Sequence, residues 1–169
     1  CTPSRGLGDV YKRQIICGRN KDKLDELSNE LSKKTNVKTL EFDVRDKEDV
    51  REKISSLSDD WKNINILINN AGNAHGLDFI HEGKISDWDM MIDTNVKGLL
   101  YVSKYVLDIM IENNRGHIVN IGSIAGKEVY PKGNIYCASK FAVDAISNGM
   151  RIDLNLSLIH ISEPTRRCT

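Results

Sequence analysis

Four short apolar runs separated by stretches of helical periodicity restrict this chain to very few architectures. The runs are IICG (15–18), VKTLEFDV (37–44), INILINNAG (64–72) and GHIVNIGS (116–123). They read as buried strands rather than in/out alternations, which is the pattern of a parallel sheet covered on both faces. Between them, KDKLDELSNELSKK (21–34) sets Leu24, Leu27 and Leu31 at helical spacing with charges elsewhere. KEDVREKISSL (47–57) reads as a second helix, and the segment 86–114 as a long third one with Ser86 as its N-cap. A final helix covers GNIYCASKFAVDAISNGMRIDLN (133–155). Strands alternating with helices predict a doubly wound α/β fold. Ligands of such sheets bind beyond the C-terminal ends of the strands, where Arg19, Asp43, Asn69–Gly72 and Ser123 fall.

The two ends of the chain stand in an unusual relation. All fourteen residues at each end can be encoded by reverse-complementary DNA, pairing Cys1 with Thr169 and Gln14 with Leu156. Asp9–Gln14 written as GAT GTG TAT AAG AGA CAG gives LSLIHI, residues 156–161, on the opposite strand. The pattern resembles a sequencing adapter joined to both ends of a DNA fragment and translated through. The expectation is therefore that residues 1–14 and 156–169 are foreign and that 15–155 is a partial domain. SRGLG at 4–8 imitates a phosphate-binding loop, but only eleven positions separate Gly8 from Arg19. That is too few for the helix and second strand such a loop requires.

Tyr136 and Lys140, four positions apart on the last helix, share one face. A tyrosine hydroxyl alone is a poor base at neutral pH, whereas a neighbouring ammonium favours its phenolate. The pair therefore suits general acid–base chemistry. Ser123, at the end of the preceding strand, could donate to a substrate oxygen as negative charge develops there. Taken by itself, Tyr-x-x-x-Lys also fits an ordinary surface pair. Asn95 equally fits a polar residue at a helix bend, and Asp43 a cap or loop carboxylate.

Four motifs occur together and in order: INNAG after the third strand, DTNVKG in the long helix, IVNIGSIAG, and the Tyr-x-x-x-Lys pair. In combination they resemble the short-chain dehydrogenase/reductase family across 15–155. The resemblance implies a Rossmann-like sheet of order 3-2-1-4-5-6-7, truncated here by loss of the first strand with its glycine loop and of the last strands. It implies that Tyr136 is the catalytic acid/base and that Lys140 lowers its pKa while binding the nicotinamide ribose. Ser123 would orient the substrate carbonyl, and Asn95 would hold a water relaying protons to Lys140. Asn70, Ala71 and Gly72 would line the adenosine side of the cofactor, with Asp43 and Val44 at the adenine ring. A sheet lacking a central strand leaves backbone groups unpaired, so the isolated chain is expected to be inactive and molten or aggregated. Strand pairings drawn from VYKRQII or LSLIHI would on this view carry no weight.

Arg19 bears on cofactor choice. An acidic residue at this strand end bonds the free ribose hydroxyl of NAD, while an arginine accommodates the 2′-phosphate of NADP. CGRN offers the arginine and no carboxylate, so NADP is expected. Within the family the wording is most similar to the NADP-dependent 3-hydroxy acid dehydrogenases, which act on serine, allo-threonine and related small acids. A 3-oxoacyl-thioester reductase is the near alternative, and a dinucleotide-binding module without turnover the distant one. Lys132 could partner a substrate carboxylate, although a solvated loop lysine is the commoner situation.

Composition narrows the remaining classes. The 169 residues are 40% apolar and formally neutral, which fits a single domain. The ends hold Arg5, Lys12, Arg13, Arg166 and Arg167 against Asp9 and Glu163, leaving 15–155 with a net charge of −3. With no basic block, nucleic acid and anionic membranes are not expected partners. No apolar run approaches the roughly 20 residues that cross a bilayer. Cys17 and Cys137 are the cysteines of 15–155, consistent with a reducing cytoplasm. His75, His81 and His117 lack ligand spacing, so no metal is expected. Trp61 and Trp88 should pack at helix–sheet contacts, and Met90, Met91 and Met110 in the core or a subunit interface. The family resemblance further implies a homo-oligomer.

Overall fold

The computed structural model describes residues 13–155 and 157–166. SRGLG (4–8) and most of the proposed terminal segments lie outside them. The chain forms two compact units, divided between Asp43 and Val44.

The first unit is a β–α–β element. Strand β1 (Arg13–Gly18) runs parallel to β2 (Asn36–Glu41), with Ile16 opposite Thr39 and Cys17 opposite Leu40. Helix α1 (Lys21–Leu31) links them, and the Asn20 side chain caps it by accepting from the Lys23 N–H at 2.9 Å. Ile16, Leu24, Leu40 and Phe42 form its small core. Of the helical leucines, Leu24 is buried and Leu27 exposed. The helix stops at Leu31, short of the expected 34, where the Lys34 and Thr35 N–H groups both turn back onto the Leu31 carbonyl.

In the second unit β3 (Ile66–Asn69), β4 (Gly116–Asn120) and β6 (Ile159–Ser162) make a parallel sheet of order β3-β4-β6. The short β5 (Gly122–Ser123) pairs with β7 (Thr165–Arg166). Four α-helices accompany these strands: α2 (Lys47–Ser55), α3 (Ile85–Ile92), α4 (Leu99–Glu112) and α5 (Asn134–Asp153). The fold is thus α/β with parallel, Rossmann-like strands. Arg13 and Gln14 in β1, and the pairings of β6 and β7, involve residues assigned above to the terminal segments. Parallel pairs bond through the backbone and accept most apolar residues, so such pairing does not discriminate between origins of the sequence.

The core of this unit gathers Val50 and Ile54 of α2, Met91 of α3, Val106 and Met110 of α4, Ile118 of β4, and Cys137 and Val143 of α5, each nearly inaccessible. Asp46 starts α2 by accepting from the Glu48 and Asp49 N–H groups at 3.0 and 3.1 Å. Ser86 is not a cap. The third helix begins at Ile85, after Lys84, whose carbonyl accepts from the Asp87 and Trp88 N–H groups. Trp88 lies against Gly83 of the preceding loop, and Trp61 sits in a 3-10 turn, Asp59–Trp61. β4 is covered as a parallel strand should be, but Ile66 and Ile68 of β3 are 62% and 60% exposed. Asn69 of the same strand bonds Ser103 of α4, so the helix covers one face and these isoleucines occupy the other.

The expected long helix 86–114 is interrupted. Asp93–Gly98 (DTNVKG) forms a π-helical segment between α3 and α4. Such widened turns occur where a helix must present backbone or a side chain out of register. At its end, a Cβ added to Gly98 would lie 2.7 Å from Val44 Cγ2 and 3.3 Å from the Val44 carbonyl oxygen. Gly98→Ala in the complete protein is therefore expected to lose about 1–2 kcal/mol, because overpacking exceeds the gain in helix propensity. Denaturant titration would show this as a lower midpoint at unchanged slope.

Candidate active site

Ser123 ends β5 in extended conformation, 2% exposed, and its hydroxyl oxygen accepts from the Ala125 N–H at 3.2 Å. That bond opens a 3-10 turn, Ile124–Gly126, which packs on α5 so closely that a Cβ on Gly126 would meet the Lys140 carbonyl oxygen at 2.7 Å. Lys127 closes the turn by donating to Asp144 of α5 at 2.5 Å, and this bond holds the Asp144 carboxyl below its usual range. The serine is thereby fixed beside the helix that carries Tyr136 and Lys140.

Tyr136 is half-buried in the first turn of α5, and Lys140 lies one turn on, 8% exposed. The Lys140 ammonium donates to the Ile121 carbonyl at 3.0 Å, two residues before Ser123. A buried ammonium needs such partners, because an unpaired charge there would be costly. A Cβ at Gly72 would lie 3.6 Å from Lys140 Nζ and 3.4 Å from Asn95 Oδ1. The loop after β3 therefore runs directly beside the ammonium.

Asn95, 2% exposed in the π segment, fastens that loop. Its Oδ1 accepts from the Asn73 N–H at 2.8 Å, and its Nδ2 donates to the Asn73 carbonyl and to Ser139 Oγ, each at 2.9 Å. The Ser139 hydroxyl in turn donates to the Tyr136 carbonyl at 2.7 Å. Thr94 Oγ1 also accepts from Asn73 Nδ2, at 3.0 Å. A second buried chain lies beneath. Asn69 and Asn120, opposite one another in β3 and β4, are joined at 2.8 Å. Asn69 also donates to Ser103 of α4, and Asn120 to Ser147 of α5, each at 2.9 Å. These residues join both strands to both helices.

The structure thus brings Asn95, Ser123, Tyr136, Lys140 and Gly72 into one neighbourhood of the second unit. Asn70, Ala71 and Gly72 are exposed there, and Val44 packs on Gly98. In the first unit Arg19 and Asp43 form an ion pair at 3.5 Å, with 62% and 26% of their side chains exposed. Sequence reasoning missed Ser103, Asn120, Ser139 and Ser147. The available signal was an asparagine closing each of two apolar strands, in ILIN and HIVN. A cleft of about 600 Å3 between Lys62, Ile109 and Arg115 adjoins the start of β4, the opposite end from Ser123.

Residues 6–163 match the family described as short chain dehydrogenase. The NADP-dependent 3-hydroxy acid dehydrogenase YdfG of Salmonella typhi is 43% identical over 166 residues, covering 94% of this chain and 66% of that protein. Sulfoacetaldehyde reductase 2 of Chromohalobacter salexigens is 37% identical over 161 residues, covering 95% and 64%. The crystal structure of serine dehydrogenase from Escherichia coli superposes with a TM-score of 0.85 at 40% identity, over 90% of this chain and 69% of that one. The chain therefore spans just under two-thirds of the length of the curated relatives it matches, and it belongs to the short chain dehydrogenase family.

Proposed function

We propose that the complete protein is an NADP-dependent oxidoreductase that interconverts a secondary alcohol and a ketone on a small 3-hydroxy acid such as serine or allo-threonine. One observation carries the reading: Lys140, buried and anchored on the Ile121 carbonyl, lies one helical turn from Tyr136 and adjoins the Ser123 strand end. The names of the 3-hydroxy acid and serine dehydrogenase relatives support the substrate class.

NADP, when bound, would accept or supply the hydride at the carbinol carbon. In the oxidative direction the Tyr136 phenolate takes the substrate hydroxyl proton, and in reduction the phenol returns it. Lys140 favours the phenolate electrostatically. Ser123 donates to the substrate oxygen, where charge develops in the transition state. Both N–H bonds of the Asn95 amide are already committed, so Asn95 would hold a water relaying protons to Lys140 through an acceptor oxygen. The exposed residues Asn70–Gly72 offer backbone N–H and C=O groups to the adenosine side of the cofactor, and Asp43 and Val44, which follow β2, are the residues assigned to the adenine ring. Arg19, more than half exposed, is suited to a ribose 2′-phosphate.

The complete enzyme should show kcat/KM at least tenfold higher with NADPH than with NADH. Arg19→Ala should remove most of that preference by raising KM for NADPH alone. Higher kcat/KM with NADH would defeat the cofactor assignment. Turnover of acyl thioesters with none of 3-hydroxy acids would defeat the substrate assignment.

A further inference from the structure

Two loops of the second unit meet next to this site. The loop after β3 begins at Gly72, beside Lys140, and carries Leu77, Phe79 and Ile80 at 63%, 48% and 55% exposure. The loop after the Ser123 turn carries Val129 and Tyr130 at 70% and 40%. The first loop is tied to the start of α5 and to the second loop. Asn134 Nδ2 donates to the Asp78 carbonyl at 3.4 Å, and Lys132 Nζ stands 4.8 Å from the centre of the Phe79 ring.

Lys132 is unusual in its backbone as well as its position. Its φ is +66°, a left-handed conformation that glycine adopts freely and a long side chain only at a cost. The ammonium rests on an aromatic face, and among the described residues it forms no ion pair with a carboxylate. The ammonium is exposed, so it is open to an anionic partner while the ring face holds it in place. Phe79 is itself stacked on His81, with centroids 6.0 Å apart, which limits how far the ring can turn away.

Lys132 stands four positions before Tyr136, in the loop that leads into the first turn of α5.

We propose that Lys132 determines specificity by binding the substrate carboxylate, and that Phe79 positions its ammonium. The proposal rests on the hydroxy acid reading above and assigns the residue that recognises the acid.

The test uses the complete enzyme with 3-hydroxybutanoate and its uncharged methyl ester. In Lys132→Gln, KM for the acid should rise roughly tenfold, as expected for loss of one charge-assisted contact. The kcat for the acid, and both constants for the ester, should stay within about threefold. Lys132→Gly should behave alike while folding at least as stably, because glycine relieves the left-handed backbone. Phe79→Leu should raise KM for the acid by a smaller factor and leave the ester unaffected. Equal losses for acid and ester, or an unchanged acid KM in both Lys132 variants, would overturn the proposal while leaving the hydroxy acid reading in place. An unmodified enzyme that turns over the ester but no 3-hydroxy acid would overturn both.

Discussion

Tyr136→Phe should lower kcat of the complete enzyme by about three orders of magnitude, while the Kd for NADPH moves by less than about threefold. The substitution deletes one oxygen and keeps the ring, so packing in the first turn of α5 is retained. The Tyr136 backbone carbonyl would still accept from Ser139, and Lys140 would still donate to Ile121. What disappears is the proton carrier. A positioned acid–base group contributes about 10²–10⁴ in rate, and the upper part of that range is expected because, among the described residues of the site, the two nearest polar side chains are already engaged. Lys140 is turned towards a carbonyl, and Ser123 accepts from Ala125. Since only the chemical step is affected, kcat and kcat/KM should fall together. Stopped-flow measurement of NADPH formation, with a separate fluorescence titration of NADPH, distinguishes this outcome from that of a cofactor-sensing module. A sensor would show unchanged affinity and no turnover to lose; retained turnover in the Phe variant would remove Tyr136 from the mechanism.

The Tyr136–Lys140 pair was legible because an i,i+4 relation is local: any helix through the segment puts both on one face. The strand–helix alternation was legible for the same reason. Features arising between distant residues were not. The π segment 93–98 has the same apolar spacing as an ordinary helix, and the partner that its Asn95 holds, Asn73, lies 22 positions earlier. The asparagines ending β3 and β4 reveal their connection only once register sets Asn69 opposite Asn120. Ile66 and Ile68 were misjudged because an apolar strand reports what a residue tolerates and not which face is covered. The shift from Ser86 to Lys84 at the third helix has a similar origin. A favourable capping side chain does not start a helix when the turn already closes two residues earlier.

Asn95→Ala should cost about 3–5 kcal/mol of stability and lower kcat/KM by at least a hundredfold. The truncation leaves the Asn73 N–H and carbonyl without their partners and removes a donor to Ser139, all at part-buried or buried positions. Each buried group left unsatisfied costs about 1–3 kcal/mol. The loss does not stay local, because Asn95 joins the π segment to the loop that brings Gly72 beside Lys140. Once released, that loop no longer defines the approach of a ligand to the ammonium, and positional errors of this kind carry large rate penalties. Asn95→Asp tests the argument more narrowly. It keeps the shape and the acceptor for the Asn73 N–H but sets a carboxylate oxygen against the Asn73 carbonyl. Ser139 cannot compensate, because its proton already goes to the Tyr136 carbonyl. Aspartate should therefore be no better than alanine at pH 8, and should recover stability as pH falls and the carboxyl gains a proton to donate. Thermal melts of both variants between pH 5 and 8 measure this. If aspartate retained wild-type stability across that range, the Asn95 amide would not be the fastener of this loop.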